Sequence, residues 1–205
     1  MGLTQAQLHA ALDALGACEP AFAEAVARAG YPEPRIRERG HVTLLRTIVG
    51  QQVSVAAAAS IWGKMEAAFG DMSDIAPLAA ASDEELRAVG LSRQKASYVR
   101  SLAEEVTGGR LDFNALPEDD EEAITALTRI KGIGRWSAEI YLLFAEGRPD
   151  IWPAGDLAVQ AEIGRLFGHD ERPSEKALRE MAEAWRPHRG AAAILAWHHY
   201  KIEVI

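Results

Sequence analysis

The chain has 205 residues, 48% of them hydrophobic, enough to bury one compact core or two closely packed lobes. A formal net charge of −8 argues against bulk electrostatic attraction to nucleic acid, because phosphate binding usually rests on clustered Lys and Arg. The single cysteine, Cys18, excludes an internal disulfide and a cysteine-held zinc or iron–sulfur centre, and reads as a small, partly buried hydrophobe.

The opening MGLTQAQLHAALDAL lacks the basic start and continuous apolar run of a secretory signal, and no stretch approaches the ~20 apolar residues of a membrane span, so a cytoplasmic location is expected. Capped segments with helical apolar spacing follow one another at roughly 4–15, 20–29, 41–51, 54–69, 83–89, 93–107, 119–129, 135–146, 157–168, 175–185 and 189–200. Alternating strand-like runs are nearly absent, and some segments can merge, so the fold class is all-α with about nine or ten helices. Ser82 with Glu85 forms a capping-box pattern, Ser92 and Ser174 stand at N-cap positions, and Gly108–Gly109 can end a helix in left-handed geometry. The irregular stretches are 30–40, 70–78, 109–118 and 147–156.

Residues 119–146 read DDEEAITALTRIKGIGRWSAEIYLLFAE, which is an acidic helix start, a glycine turn and a second apolar helix. Gly132 and Gly134 can adopt backbone angles costly for other residues and leave amides uncovered, so that a phosphate can approach the start of the second helix. Arg129, Lys131 and Arg135 add local positive charge. Taken alone, such a turn also fits two core helices joined tightly.

The run Ile130-Lys131-Gly132-Ile133-Gly134 resembles the helix-hairpin-helix family, which has apolar, any residue, Gly, apolar, Gly at that place. Downstream, GRPDIWPAGDLAVQAEI resembles the loop of that family's glycosylases that ends in their characteristic aspartate, matched here by Asp156. Asp156 is also a natural N-cap for the helix that follows. Upstream, LLRTIVGQQVSVAAAASIW resembles the Gly-Gln-x-Val-Ser segment of the alkylbase glycosylases. WRPHRGAAAILAWHHY resembles their Trp-(Arg/Lys)-Pro-x-Arg turn and the helix after it, with Trp185 and Trp197 at the matching positions. The resemblance spans roughly residues 40–200 and points most strongly to the compact bacterial 3-methyladenine DNA glycosylase II type.

What the resemblance implies is a two-lobed helical bundle with a helix-hairpin-helix motif and a DNA-binding cleft between the lobes. One lobe would comprise 40–148, ending in the hairpin; 1–39 and 149–205 would form the other, carrying Asp156. The implied activity is monofunctional excision of alkylated bases from duplex DNA. The nucleotide is turned out of the stack, and Asp156 stabilises an oxocarbenium-like sugar and helps activate water. Trp136 and Trp197 would line the base pocket, each with core packing as its plainer role. Gln51, Gln52, Lys131, Gly132, Ile133, Gly134 and Arg135 would contact DNA, with Gln52 standing where related enzymes carry an apolar minor-groove wedge.

Enzymes of the superfamily that also cut the strand carry a lysine just after the hairpin. Trp136 occupies that place, and an indole cannot act as an amine nucleophile. No cofactor is required by this reading; a structural Na+ or K+ at the carbonyls of Thr128, Ile130 and Ile133 is implied by the resemblance. His188, His198 and His199 read as surface or packing residues with no ligand spacing for a metal, and His41 is a candidate DNA contact beside the Gln51–Gln52 turn. A monomer is the default expectation. The alternatives are a noncatalytic helix-hairpin-helix DNA-binding module, in which Asp156 only caps its helix, and a bifunctional glycosylase/lyase.

Overall fold

The computed structural model describes residues 2–204, with side chains to 202. Among the described residues it has twelve α-helices, one π-helical turn, one 3-10 turn and no strand. The chain separates into two compact units, one built from the chain up to Arg37 together with that from Leu142 onward, the other from Glu38–Tyr141.

The first unit opens with α1 (Gln5–Cys18) and α2 (Pro20–Ala29). Thr4 and Gln7 form a reciprocal capping box on α1, and Pro20 stands in the first turn of α2, where a missing N–H costs nothing. Cys18 lies exposed at the end of α1, which corrects its expected partial burial; the helix turns Leu8, Leu12 and Leu15 inward instead.

The second unit holds α3 (His41–Gly50), α4 (Val55–Phe69), α5 (Ala76–Ala80), α6 (Asp83–Ala88), α7 (Arg93–Thr107), α8 (Asp120–Thr128) and α9 (Arg135–Tyr141). The capping box of Ser82 with Glu85 is present, Ser54 and Ser92 cap α4 and α7, and Gly109 takes the left-handed φ of 67° after α7. The short α5 lies partly inside a stretch expected to be irregular; five residues give too little periodicity to read. α7 packs against α3, α5 and α6, and Leu44, Leu45, Ile48, Met65, Val99, Leu102 and Leu127 form a core in which each is at most 1% exposed.

The helix expected over 135–146 is α-helical only to Tyr141 and continues as a π-helical turn, Leu142–Glu146. The π-helical turn already belongs to the first unit, which continues with α10 (Leu157–Leu166), α11 (Glu175–Met181) with its 3-10 extension Ala182–Trp185, and α12 (Arg189–Val204). α12 packs on α10, α2 and α1 through a run of small residues, Ala191, Ala192, Ala193 and Ala196, all essentially inaccessible. Trp185 anchors an aromatic cluster: Phe22 and Trp152 meet it edge-on at 5.0 and 5.3 Å, and Phe167 stacks on it at 5.4 Å.

One charged contact ties the 147–156 loop to the start of α12. Arg189 donates to both oxygens of Asp150 at 2.8 Å, and Arg186 adds a third bond at 2.6 Å. The Asp150 and Arg189 side chains are only 17% and 12% exposed. Next to them, the Gly190 amide donates to Pro149 O at 2.8 Å, and a Cβ on Gly190 would stand 2.7 Å from both that oxygen and Leu143 Cδ1. Asp150→Ala should therefore leave the largely buried Arg189 guanidinium with Glu183 as its remaining carboxylate, at 3.2 Å, and cost about 2–3 kcal/mol, read as a lower urea midpoint with an unchanged slope.

Candidate active site

The backbone leading to Asp156 is held by two successive tight turns, with Ala154 N donating to Trp152 O at 2.8 Å and Asp156 N to Pro153 O at 2.9 Å. Trp152 is buried with its Nε1 donating to Leu178 O, and the buried Gln160 amide donates to Ala154 O at 2.8 Å. The sequence folds this way because Ile151, Trp152 and Ala154 are apolar and buried. Asp156 itself is extended (φ −74°, ψ 122°) and caps α10, its Oδ1 accepting from Ala158 N at 2.9 Å and Val159 N at 3.0 Å. It is half-buried at the mouth of this loop, beside Leu157, which is 61% exposed. The result is a carboxylate with a fixed orientation at the positive end of a helix.

In the second unit the glycine turn joins α8 and α9. Ile130 and Ile133 point into the core, and Ile133 N donates to Ile130 O at 3.1 Å. The Lys131 amide donates to the Ser101 hydroxyl at 3.0 Å, while its side chain is exposed. The two glycines serve different ends. Gly132 has φ 82°, and a Cβ there would overlap the Tyr98 ring. Gly134 lies outside the left-handed region, contrary to expectation; it opens α9, accepting from Ala138 N, and a Cβ there would meet open space. Its bareness leaves the amides at the start of α9 uncovered from outside.

The charge expected from Arg135 is already partnered inside the protein. Its guanidinium forms a bidentate pair with Glu121 and donates from Nε to Glu139 Oε1 at 3.0 Å. The hydrogen bond to Glu121 raises its pKa above the ordinary arginine value, with Glu139 contributing by charge.

Between α3 and α4 the backbone turns at Gln51 (φ −58°, ψ 128°) and Gln52 (φ 54°). That is the course of a type II turn, whose third position normally goes to Gly. Gln52 is the non-glycine residue with positive φ among the described residues, a conformation that costs roughly 1–2 kcal/mol. The structure brings Gln51 and the hairpin together: Gln51 Nε2 donates to Gly132 O at 2.9 Å. Both glutamines line a polar depression of about 370 Å³ with Ser92, Lys95, Tyr98 and Gly132. Lys95, unmarked in the sequence reading, donates from Nζ to Val49 O at 2.7 Å, and burial lowers its pKa.

Trp136 is 47% exposed on α9. Trp197, on α12 of the other unit, is half-buried with Phe144 at 5.7 Å and the Arg35 guanidinium at 5.9 Å from its ring. Trp185 and Trp62 belong to the two cores. His41 points into its own unit, hydrogen-bonded to Met72 O at 2.9 Å, rather than outward as a DNA contact. His198 meets Ala29 O, and His199 is buried against Glu162 at 2.7 Å. Among the described residues no group of three or more His, Cys, Asp or Glu is arranged to hold a metal ion, and no helix is long and apolar enough to cross a membrane. Asp150, Arg189, Tyr98 and Ser101 escaped the sequence reading as supporting residues. Only the Arg-Pro-x-Arg turn carried a local signal for any of them.

Comparison with known proteins bears on this arrangement. A family model described as HhH-GPD superfamily base excision DNA repair protein matches residues 45–187. The structure of a DNA-3-methyladenine glycosidase from Bacillus halodurans superposes with a TM-score of 0.86 at 32% identity, covering 95% of this chain and 90% of that one. A Schizosaccharomyces pombe 3-methyladenine DNA glycosylase in complex with abasic DNA gives 0.75 at 28% identity, covering 95% and 97%. A candidate DNA-3-methyladenine glycosylase of Bacillus subtilis is 28% identical over 162 residues, which is 75% of this chain; the alignment spans 56% of the length of that relative.

The two hairpin glycines should respond unequally to one methyl group. Gly132→Ala combines a strained φ with a ring overlap and should cost at least about 2 kcal/mol; Gly134→Ala, facing open space, should cost under about 1 kcal/mol. Urea unfolding of the two variants checks this.

Proposed function

Because the chain belongs to the HhH-GPD superfamily of base excision DNA repair proteins, we propose that it is a monofunctional DNA glycosylase that excises alkylated bases of the 3-methyladenine and 7-methylguanine type from duplex DNA. The observation that carries this reading is Asp156: its carboxylate is fixed by two helix amides in a half-buried loop that is itself bonded to α11 and α12.

A base inside a duplex conceals its glycosidic bond, so the nucleotide must leave the stack before the bond can be cut. Gln52 fills the gap, supported by its strained, exposed position on the α3–α4 turn. The hairpin holds a strand through backbone amides around Gly132, Ile133, Gly134 and Arg135, with Lys131 as the exposed cation; Arg135 contributes chiefly its backbone. The exposed ring of Trp136 and the half-buried ring of Trp197 are each suited to stacking on a cationic base. An alkylated purine already carries the positive charge that makes it a good leaving group. As the bond from C1′ to the base nitrogen breaks, its electron pair leaves with the base, and positive charge develops on the sugar opposite the Asp156 carboxylate. That carboxylate stabilises the sugar and receives a proton from the water that attacks C1′, giving a free base and an abasic site.

The carbonyls of Thr128, Ile130 and Ile133 would hold a Na+ or K+ ion. Their place fits such an ion, because the last turn of α8 presents carbonyls at the negative end of a helix. Ile130 O, which already accepts from Ile133 N, would offer its second lone pair. The ion would supply positive charge beside a bound phosphate. With Trp136 rather than an amine after the hairpin, strand cleavage through a Schiff base is not part of the reaction.

The test is release of free 3-methyladenine and 7-methylguanine from methylated duplex DNA. Asp156→Asn retains a side-chain oxygen to cap α10 and should fold as the parent does, yet release base at least about 100-fold more slowly. Equal release by both proteins would reduce Asp156 to a cap. No release by either, with DNA binding intact, would favour the noncatalytic module or another lesion.

A further inference from the structure

α7 presents Lys95, Tyr98 and Ser101 three residues apart, a spacing that sets them along one face of the helix. Each meets a different part of the DNA-binding machinery proposed above. Lys95 Nζ donates to Val49 O in the last turn of α3, where carbonyls have no partner within their helix. The Tyr98 ring fills the space where Gly132 would have a side chain, and it is also hydrogen-bonded to Gln94. Ser101 accepts from the Lys131 amide at 3.0 Å. The fourth link is lateral, from Gln51 Nε2 to Gly132 O at 2.9 Å.

Gln52 therefore sits between two fixed points. Its preceding helix is held at Val49 by Lys95, and the residue beside it is held to the hairpin. A left-handed φ at glutamine persists only where the surroundings impose it, and these two hydrogen bonds flank it on either side. The Lys95 amine is partly withdrawn from water, which lowers its pKa, and it donates to the Val49 carbonyl at 2.7 Å.

We propose that Lys95 and Gln51 are positioning residues that set Gln52 in its left-handed turn and couple it to the hairpin, so that gripping the strand and filling the gap left by the extruded nucleotide occur as one event. This rests on the reading of Gln52 as the residue that fills the gap. Neither Lys95 nor Gln51 touches the reacting bond; both act through Gln52.

The experiment is a double-mutant cycle on a duplex oligonucleotide carrying one 7-methylguanine, followed by single-turnover base release. Extrusion is read in parallel from the fluorescence of a neighbouring 2-aminopurine. Lys95→Met and Gln51→Glu should each slow release about tenfold and weaken the fluorescence change, with Lys95→Arg restoring most of the rate. Affinity for a duplex containing a stable abasic analogue should change less than about threefold, since there the extrusion cost is absent. In a Gln52→Ala background, the same two substitutions should cause no further loss. A merely structural role predicts the opposite, with losses that multiply in both backgrounds and follow the melting temperature, and that result would overturn the proposal. So would unchanged rates, or a borohydride-trapped DNA adduct abolished by Lys95→Met, which would make Lys95 a nucleophile. Wild-type rates in Gln52→Ala alone would remove the gap-filling role and this inference with it, leaving Asp156 to its own test.

Discussion

An α-helix leaves its first amides and last carbonyls without partners inside the helix, and a chain built of helices must satisfy those groups at every junction. In this protein the candidate functional residues stand at such junctions. Asp156 takes the opening amides of α10, Lys95 takes a closing carbonyl of α3, and Gly132 to Gly134 span the gap from α8 to α9. The helix interiors supply the two cores that hold these ends still. Chemistry and capping thus draw on the same unsatisfied groups, which is why Asp156 can orient a carboxylate and begin a helix at once.

The charge distribution fits that arrangement. A chain of net charge −8 cannot rely on a broad basic surface, and the hairpin does not supply one. Arg135 is tied to Glu121 and Glu139, and the first turn of α8 carries Asp120, Glu121 and Glu122. On the proposed function, recognition of a strand falls to backbone amides and a few side chains, whose directionality favours a defined register over loose electrostatic attachment.

Much of the fold was legible because it is written locally. The Ser82–Glu85 capping box, the serine caps at 92 and 174, and the aspartate cap at 156 are all legible from residues within a turn of one another. The features that escaped depend on distant neighbours. Lys95 and Val49 are 46 positions apart, and Asp150 and Arg189 are 39 apart. The run 135–146 is equally compatible with an α-helix throughout or with the π-helical turn it adopts after Tyr141, because Leu142, Leu143, Phe144 and Ala145 are all apolar and give no period that tells the two apart. The place of His41 beside the Gln51–Gln52 turn makes it a candidate DNA contact in the sequence; its bond to Met72 O, 31 positions away, depends on the packed unit.

The contrast between two left-handed positions bears most directly on function. At 132 the backbone takes φ 82° and the residue is glycine, since the Tyr98 ring occupies the only place a side chain could go. At 52 the backbone takes φ 54° and the residue is glutamine, where glycine would relieve the strain. A fold optimised for stability alone would favour glycine at both. A long, hydrogen-bonding side chain on a strained, exposed turn is what the proposed gap-filling role calls for. On that proposal the anchors at Val49 and Gly132 present it.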